Sequence, residues 1–277
     1  MAEATAATAP WSPHYTAPET IDVHGLEVAY RRKGAGPATL FLHGAGATRM
    51  WLPFYERLSE TVDLIAPEHP GFGDTPMPDW LDGFDDLTLH YRDVLDAFEL
   101  DRVHLIGFSL GGWIAANVAI FYPHRLKSLT LIAPAGLRIP EAPMLDIMRM
   151  PPEQIPDVLT NGRTEDYLDY LPDPHDLDAA ISGYGEVSTF AKLAWNPRYD
   201  YRLDRRVPRI AVPALVIEPD EDRLLPIAHP RRWAELLPDA RLAKVGGERN
   251  PTGHWLIIQE PERAADTIRD FIQEVEE

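Results

Sequence analysis

One serine has the surroundings that turn a hydroxyl group into a nucleophile. Ser109 is the centre of Gly107-Phe108-Ser109-Leu110-Gly111, with the strand-like run VHLI before it and the helix-like run GGWIAANVAIF after it. A serine on a tight turn from strand to helix has a strained backbone, and the residues two positions away must lack a Cβ to avoid collision. Such a turn exposes the Ser109 hydroxyl and directs the N–H of Leu110 at an oxyanion formed beside it. A glycine-rich turn without a chemical role is the alternative interpretation.

A second glycine-rich turn indicates where the other oxyanion donor lies. Phe41-Leu42-His43-Gly44-Ala45-Gly46 closes an apolar strand run. Small residues at this point let backbone N–H groups turn into the crevice at the carboxyl ends of parallel strands. We therefore predict that Ala45 supplies the second oxyanion N–H. A dinucleotide fingerprint is excluded, because Arg49 stands where the third glycine of that motif is required.

A serine nucleophile requires a general base and a group that orients the base. Of the ten histidines, His254 stands out because it lies between the last strand run and the last helix. The orienting carboxylate is sought after another strand, where PALVIEP is followed by Asp220-Glu221-Asp222-Arg223. Asp222 is the preferred acid because it lies further from the strand, and Asp220 is the alternative. An acidic helix N-terminus would also account for this cluster.

The elements that must position these residues alternate regularly along most of the chain. VDLIAP, RVHLIGF, SLTLIAP, PALVIEP and RLAKVG have the continuous apolar content of parallel strands covered on both faces. Before them, IDV, LEVAY and ATLFL with intervening glycine turns predict a hairpin that opens the sheet. We therefore predict an α/β fold with a mostly parallel, doubly wound sheet that is closed by a helix over PERAADTIRDFIQEVEE.

The alternation stops between residues 137 and 206, where Pro, Met, Asp and Tyr crowd together. This segment is predicted to be a helical cap inserted into one core domain formed by residues 20–136 and 207–277. The Ala/Thr/Pro-rich residues 1–19 are predicted to be a flexible leader, because they offer little apolar surface to offset the entropy of ordering. They lack the pattern of a secretory signal, so a cytoplasmic location is expected.

The order Ser109, Asp222, His254, each after a separate strand run, resembles the serine α/β-hydrolase family. Pro70-Gly71-Phe72-Gly73 is similar to a turn that these enzymes carry opposite the oxyanion loop, and Gly253-His254-Trp255 is similar to their catalytic-histidine loop. Two departures from the family pattern are Glu218-Pro219, where a glycine is usual, and Glu68-His69, where an acid usually precedes the Pro-Gly turn. The resemblance implies a carboxylesterase-like enzyme with a helical cap and no cofactor.

The expected substrate is a small to medium carboxylic ester, because the cap offers apolar side chains and shows no evident charged clamp. Residues predicted to line its pocket are Met144, Met148, Trp195 and Trp255. Carbon–carbon bond hydrolases of aromatic breakdown and cofactor-free perhydrolases remain alternatives with the same triad. The former usually carry Asn before the nucleophile and Pro in the oxyanion turn, where Phe108 and Ala47 stand here. A non-catalytic module that binds a related ligand is the alternative from another functional class.

Composition narrows the possible partners. The 277 residues include 26 Lys and Arg against 44 Asp and Glu, a formal net charge of −18, which disfavours nucleic acid and anionic membrane surfaces as partners. With no cysteine, disulfides, thiolate nucleophiles and Cys-ligated metals are excluded. The acidic segment Asp173–Asp178 lacks the glycine and final glutamate of a calcium loop, so it is interpreted as a turn with a helix cap, and no metal is expected. The sequence leaves the oligomeric state open.

Overall fold

A computed structural model describes residues 12–172 and 176–277. The strands are β1 (Glu19–Val23), β2 (Leu26–Lys33), β3 (Ala38–Leu42), β4 (Asp63–Pro67), β5 (Val103–Phe108), β6 (Leu126–Ile132), β7 (Ala214–Glu218) and β8 (Ala240–Lys244). The α-helices are α1 (Pro53–Leu58), α2 (Phe84–Ala97), α3 (Leu110–Phe121), α4 (Ile155–Leu159), α5 (Leu177–Ala194), α6 (Leu203–Arg206), α7 (Ala228–Leu236), α8 (Leu256–Gln259) and α9 (Pro261–Glu276). None of the helices in these two ranges combines the length and apolar character needed to cross a membrane.

The strands form one eight-stranded sheet in the order β1-β2-β4-β3-β5-β6-β7-β8. β1 and β2 pair antiparallel, β2 pairs antiparallel with β4, and the remaining neighbours are parallel. The predicted mostly parallel α/β sheet with an opening hairpin is therefore confirmed. The hairpin turn places His24 and Gly25 at positive φ values of 51° and 85°, as a tight two-residue turn between strands requires.

Helices cover both faces of the sheet, and the central strands are therefore apolar on both sides. Alternate residues of β5 show this, because Leu105 packs in one hydrophobic cluster and Ile106 in the other. The first cluster is shared with α2, α3 and α7, whereas the second is shared with α1, α8 and α9. This burial explains why the strands read as continuous apolar runs in the sequence.

The segment between β6 and β7 contains α4, α5, α6 and short 3-10 turns, and its described residues contribute no strand to the sheet. Within the acidic segment, Asp173–His175 lies outside the described residues, and the Asp176 side chain caps α5 by accepting from the N–H groups of Asp178 and Ala179. Of the leader, residues 1–11 lie outside the described part. Ser12 is buried, and its hydroxyl donates to the carbonyl of Asp169 at 2.7 Å.

Burial favours the neutral form of three histidines, His43, His69 and His90. The backbone N–H of His69 donates to Nε2 of His43 at 2.9 Å, so the proton of His43 is on Nδ1 and is donated to the Gly44 carbonyl at 2.6 Å. His69 in turn donates from Nε2 to the carbonyl of His43 at 2.7 Å and accepts from the Tyr91 hydroxyl. Burial lowers the pKa of His43 and of His90 to about 4, and it also lowers the pKa of His69.

From the lowered pKa values of these histidines we predict that the folded protein loses stability in mild acid. Each lowered pKa means that the unfolded chain binds a proton between pH 6.5 and about 4 that the folded chain does not bind, so stability falls as the pH is lowered through this window. For His43 or His90 the expected loss between pH 7 and pH 5 is about 2 kcal/mol each. Burial raises the pKa of Glu68 and Glu186, and their proton uptake offsets part of the loss.

Urea unfolding at pH 7 and pH 5 measures this loss. We expect His90→Gln to reduce the difference between the two pH values by about 2 kcal/mol. His124→Gln, which changes an exposed histidine, serves as the matched control and leaves the difference unchanged. Equal pH dependence in the wild type and in His90→Gln would contradict the assignment of a neutral buried histidine.

Candidate active site

Ser109 sits between the end of β5 and the start of α3, at φ 53° and ψ −112°. The sequence permits this turn because glycines stand two residues away on each side. A Cβ on Gly107 would lie 2.4 Å from the carbonyl oxygen of Gly111, and a Cβ on Gly111 would lie 2.1 Å from the carbonyl oxygen of Leu42. The predicted need for glycine therefore has a direct steric cause.

The structure brings Ser109, His254 and Asp222 into one hydrogen-bonded chain. Nδ1 of His254 is 2.7 Å from Oδ2 of Asp222, and Nε2 of His254 is 2.9 Å from Oγ of Ser109. Because the carboxylate is an acceptor, Nδ1 donates to Asp222 and Nε2 is left to accept the proton of the Ser109 hydroxyl. The side chains of His254 and Asp222 are only 3% and 1% exposed, so these bonds are protected from competing water. This is the geometry required for a serine nucleophile with an oriented base.

The two candidate acids of the sequence have different partners. Oδ1 of Asp222 accepts from the N–H groups of Leu224 and Leu225 at 2.9 and 2.7 Å, which leaves Oδ2 for the histidine. Asp220 instead accepts from the N–H groups of Gly247 and Thr252 at 2.9 and 3.1 Å. Asp220 therefore holds the loop that leads to His254 and does not contact the imidazole in this structure.

The loop that carries His254 is also fixed by the segment between β6 and β7. The N–H of Trp255 donates to the carbonyl of Leu159 at 3.1 Å, and the Asn161 side chain donates to the carbonyl of Thr252 at 3.2 Å. On the core side, the N–H of Gly253 donates to the side-chain oxygen of Gln259 at 2.6 Å. The position of the imidazole therefore depends on residues from both parts of the chain.

Ala45 and Leu110 both line the cavity together with Ser109. Leu110 is the first residue of α3, so its N–H has no acceptor within the helix. Among the hydrogen bonds of the described residues, none has the N–H of Ala45 as donor. Gly44 allows the loop to approach closely, since a Cβ there would lie 3.0 Å from the Phe108 ring. The role of these two N–H groups as oxyanion donors stays a prediction.

The cavity above Ser109 is largely apolar. Side chains that line it include Trp113, Met144, Ile147, Phe190, Leu224 and Trp255. Of the four pocket residues predicted from the sequence, Met144 and Trp255 therefore lie at the cavity. Met148 and Trp195 are not among the lining residues. Met148 packs against the hydrophobic cluster shared with α2, α3 and α7, and Trp195 is 59% exposed. The sequence prediction missed Phe190 and Arg198, and no local pattern distinguishes either residue.

Arg198 is a charged residue in the cavity lining. Its guanidinium group lies 2.8 Å from a carboxylate oxygen of Asp146, which is also 3.3 Å from the guanidinium of Arg149. One carboxylate is therefore shared by two cations, and the cluster keeps one positive charge in excess. The sequence predicts a cap with no evident charged clamp, and it does not identify Arg198 as a charged residue of the lining.

The cavity is tight in this structure. Its volume is about 60 Å³. Ligand sites commonly offer several hundred cubic ångströms. The cavity is therefore small for a ligand site in this structure.

A sequence model of the alpha/beta hydrolase family matches residues 39–267, and the chain belongs to this family. The family predicted from the sequence is confirmed. Among curated relatives, 2-hydroxy-6-oxo-2,4-heptadienoate hydrolase of Pseudomonas putida is 27% identical over 264 residues, which cover 90% of this chain and 93% of that enzyme. The chain is thus similar over nearly its full length to a known hydrolase.

Solved structures show the same similarity of fold. A membrane phospholipase A, described as a bacterial virulence factor, has a TM-score of 0.78 and 25% identity, covering 94% of this chain and 86% of that one. A meta-cleavage product hydrolase from Pseudomonas fluorescens also has a TM-score of 0.78, with 23% identity, covering 93% and 98% of the two chains. These likenesses establish the α/β-hydrolase fold, and the substrate has to be argued from the site.

Proposed function

We propose that this protein is a serine hydrolase that cleaves small to medium carboxylic esters through an acyl-enzyme. The observation that carries the proposal is the hydrogen-bonded chain from Asp222 through His254 to Ser109, which opens onto an apolar cavity. Residues 137–206 are the proposed cap over this cavity. The apolar lining favours an acyl group without charge near the reacting carbonyl.

The proposed reaction has two halves. In the first, His254 takes the proton of Ser109 while the hydroxyl oxygen attacks the ester carbonyl, and Asp222 stabilises the imidazolium that forms. The N–H groups of Ala45 and Leu110 bind the negative oxygen of the tetrahedral intermediate. His254 then gives its proton to the departing alcohol. In the second half, water loses a proton to His254 as it attacks the acyl carbon. The bond from that carbon to Oγ of Ser109 then breaks, His254 returns its proton to Oγ, and the carboxylic acid is released.

A second candidate is hydrolysis of a carbon–carbon bond, and Arg198 is the observation that favours it. The Pseudomonas putida relative is named for a dienoate, a substrate that carries a carboxylate. Arg198 lines the cavity, where its guanidinium can pair with such a carboxylate. The guanidinium already forms an ion pair with Asp146 at 2.8 Å. Phe108 and Ala47 still depart from the residues that are usual in such enzymes. We therefore rank the ester first.

A parallel assay separates the two candidates. Wild-type protein and Arg198→Met are given p-nitrophenyl esters from acetate to decanoate and, separately, 2-hydroxy-6-oxo-2,4-heptadienoate. For an esterase we expect kcat/KM to be highest on short esters, because the cavity is tight, and to change less than about twofold in Arg198→Met. Arg138→Met, which changes an exposed arginine outside the cavity lining, is the matched control.

A different result of the same assay would favour the carbon–carbon substrate. Turnover of the dienoate that is about 100-fold faster than that of any ester, together with a rise in its KM in Arg198→Met alone, would replace the ester by a carbon–carbon substrate. Failure of a fluorophosphonate probe to label Ser109 would exclude both reactions and favour a binding module.

A further inference from the structure

The carboxylate of Glu186 connects α5 to two loops of the core. One of its oxygens accepts from the Thr48 hydroxyl at 2.5 Å and from the N–H of Gly73 at 2.9 Å. Thr48 lies three residues beyond Ala45 in the oxyanion loop, which we define as residues 44–49. Gly73 belongs to the Pro-Gly-Phe-Gly turn that follows β4. A single side chain of α5 thus touches both loops.

The same helix forms part of the cavity roof. Phe190 and Ala194, four residues apart and therefore on one face of α5, line the cavity. Thr189, which precedes Phe190 on α5, contacts the Pro-Gly-Phe-Gly turn. Its hydroxyl donates to the carbonyl of Gly71 at 3.0 Å, and a Cβ on Gly71 would lie 2.6 Å from that hydroxyl. Glu186 and Thr189 therefore hold α5 against the turn while the neighbouring face covers the cavity.

The oxyanion loop has a backbone that needs external support. Ala47 and Arg49 have positive φ values of 55° and 63°, a backbone conformation that residues other than glycine rarely adopt. Arg49 ties one end of the loop to the core, since its guanidinium donates to the Gly73 carbonyl at 2.8 Å and lies 2.9 Å from Asp74. Thr48 ties the loop to α5 through Glu186. The conformation that presents the Ala45 N–H is thus fixed by both anchors.

We propose that Glu186 is a positioning residue, which holds the oxyanion loop in its working conformation through Thr48 only while α5 is docked on the core. Docking of the roof and stabilisation of the oxyanion are then one event. This inference rests on the proposed function of Ser109 and Ala45. Burial raises the pKa of Glu186, and the hydrogen bonds from Thr48 and Gly73 and the charge of Arg49 act against that rise.

The location of the pair predicts which kinetic constant responds. Neither Thr48 nor Glu186 is among the residues that line the cavity, so neither is expected to contact the substrate. Their loss is therefore expected to lower kcat and to leave KM nearly unchanged, because the oxyanion develops only after the substrate is bound. A residue that acted only on substrate entry would change KM instead.

The test measures ester hydrolysis and the rate at which a fluorophosphonate modifies Ser109. We expect Thr48→Val and Glu186→Met each to lower kcat and the modification rate about tenfold, with KM within about twofold. The double variant is expected to be no slower than Glu186→Met alone, because both changes remove the same hydrogen bond. Thr48→Ser keeps the hydroxyl and restores the wild-type rate. Glu165→Met changes an exposed glutamate of the same chain segment and has no effect.

Three results would overturn the inference. The first is a double variant whose loss of rate equals the product of the two single losses. The second is a Thr48→Ser protein as slow as Thr48→Val. The third is a rise in KM with unchanged kcat in Thr48→Val or Glu186→Met. Thermal unfolding checks that each variant is folded, and should Glu186→Met not fold, the comparison of Thr48→Val with Thr48→Ser decides the inference. If wild-type protein cleaves no ester, the modification rate still decides the role of Glu186, whereas failure of the probe on wild-type protein removes both proposals.

Discussion

Ser109→Ala is expected to lower kcat for the preferred ester by about 10⁴-fold or more, with little change in thermal unfolding. The substitution removes the oxygen that is proposed to form the acyl-enzyme, whereas the backbone N–H groups of Ala45 and Leu110 remain. A small residual rate from these donors is therefore expected. Alanine also keeps the Cβ that the turn at φ 53° already accommodates, so the fold is retained. Steady-state kinetics and intact-mass measurement after fluorophosphonate treatment give the two readouts.

Ser128→Ala provides the matched control for this experiment. Ser128 is a buried serine of β6 that is hydrogen-bonded to His104 at 2.8 Å, away from the cavity. Its replacement is expected to leave kcat and probe labelling within about twofold of wild type, although it removes a buried hydrogen bond that is typically worth about 1 kcal/mol. Retention of more than about 1% of activity in Ser109→Ala would show that another nucleophile performs the reaction.

The sheet could be predicted from the sequence because each central strand is apolar on both faces. This property is local and shows as an unbroken run such as VHLI before Ser109. The placement of Ser109 and His254 follows from the same runs, since loops after parallel strands meet at one edge of the sheet. Chain order and strand position thus carry most of the information about the candidate nucleophile and base.

The cavity residues between β6 and β7 could not be predicted in the same way, because their orientation depends on the helix that carries them. Trp195 was expected at the pocket, but it follows Ala194, which lines the cavity, and a step of one residue rotates a side chain by about 100° around a helix. The tryptophan is therefore turned to solvent. Composition shows that the segment between β6 and β7 contains apolar residues, but it does not give the face of α5 on which they lie.

Arg198 and Glu186 could not be predicted from the sequence for a related reason. Each is placed by partners that are distant in sequence, Asp146 for Arg198 and Thr48 for Glu186. The sequence shows a charged residue among many others, and only the packed structure shows that it faces a cavity or a loop. Long-range polar contacts of this kind leave no periodic pattern.

Asp222 and Asp220 are separated by a single residue, and their replacement by asparagine is expected to have very different effects. We expect Asp222→Asn to lower kcat by about 10⁴-fold, because an amide neither stabilises the imidazolium nor holds His254 in the tautomer that leaves Nε2 free to accept the Ser109 proton. The amide oxygen can still accept from the N–H groups of Leu224 and Leu225, so the loop should keep its shape.

Asp220→Asn is the matched comparison for this prediction. Asp220 acts on the loop before His254 through Gly247 and Thr252, and an amide oxygen can keep part of those contacts. We therefore expect kcat to fall less than about tenfold, with a modest loss of thermal stability. The pair of kcat values thus measures whether a carboxylate works on the imidazole or only on the loop that carries it. A larger loss of kcat in Asp220→Asn than in Asp222→Asn would reverse the assignment, because the imidazole would then depend on a carboxylate that does not contact it in the present geometry.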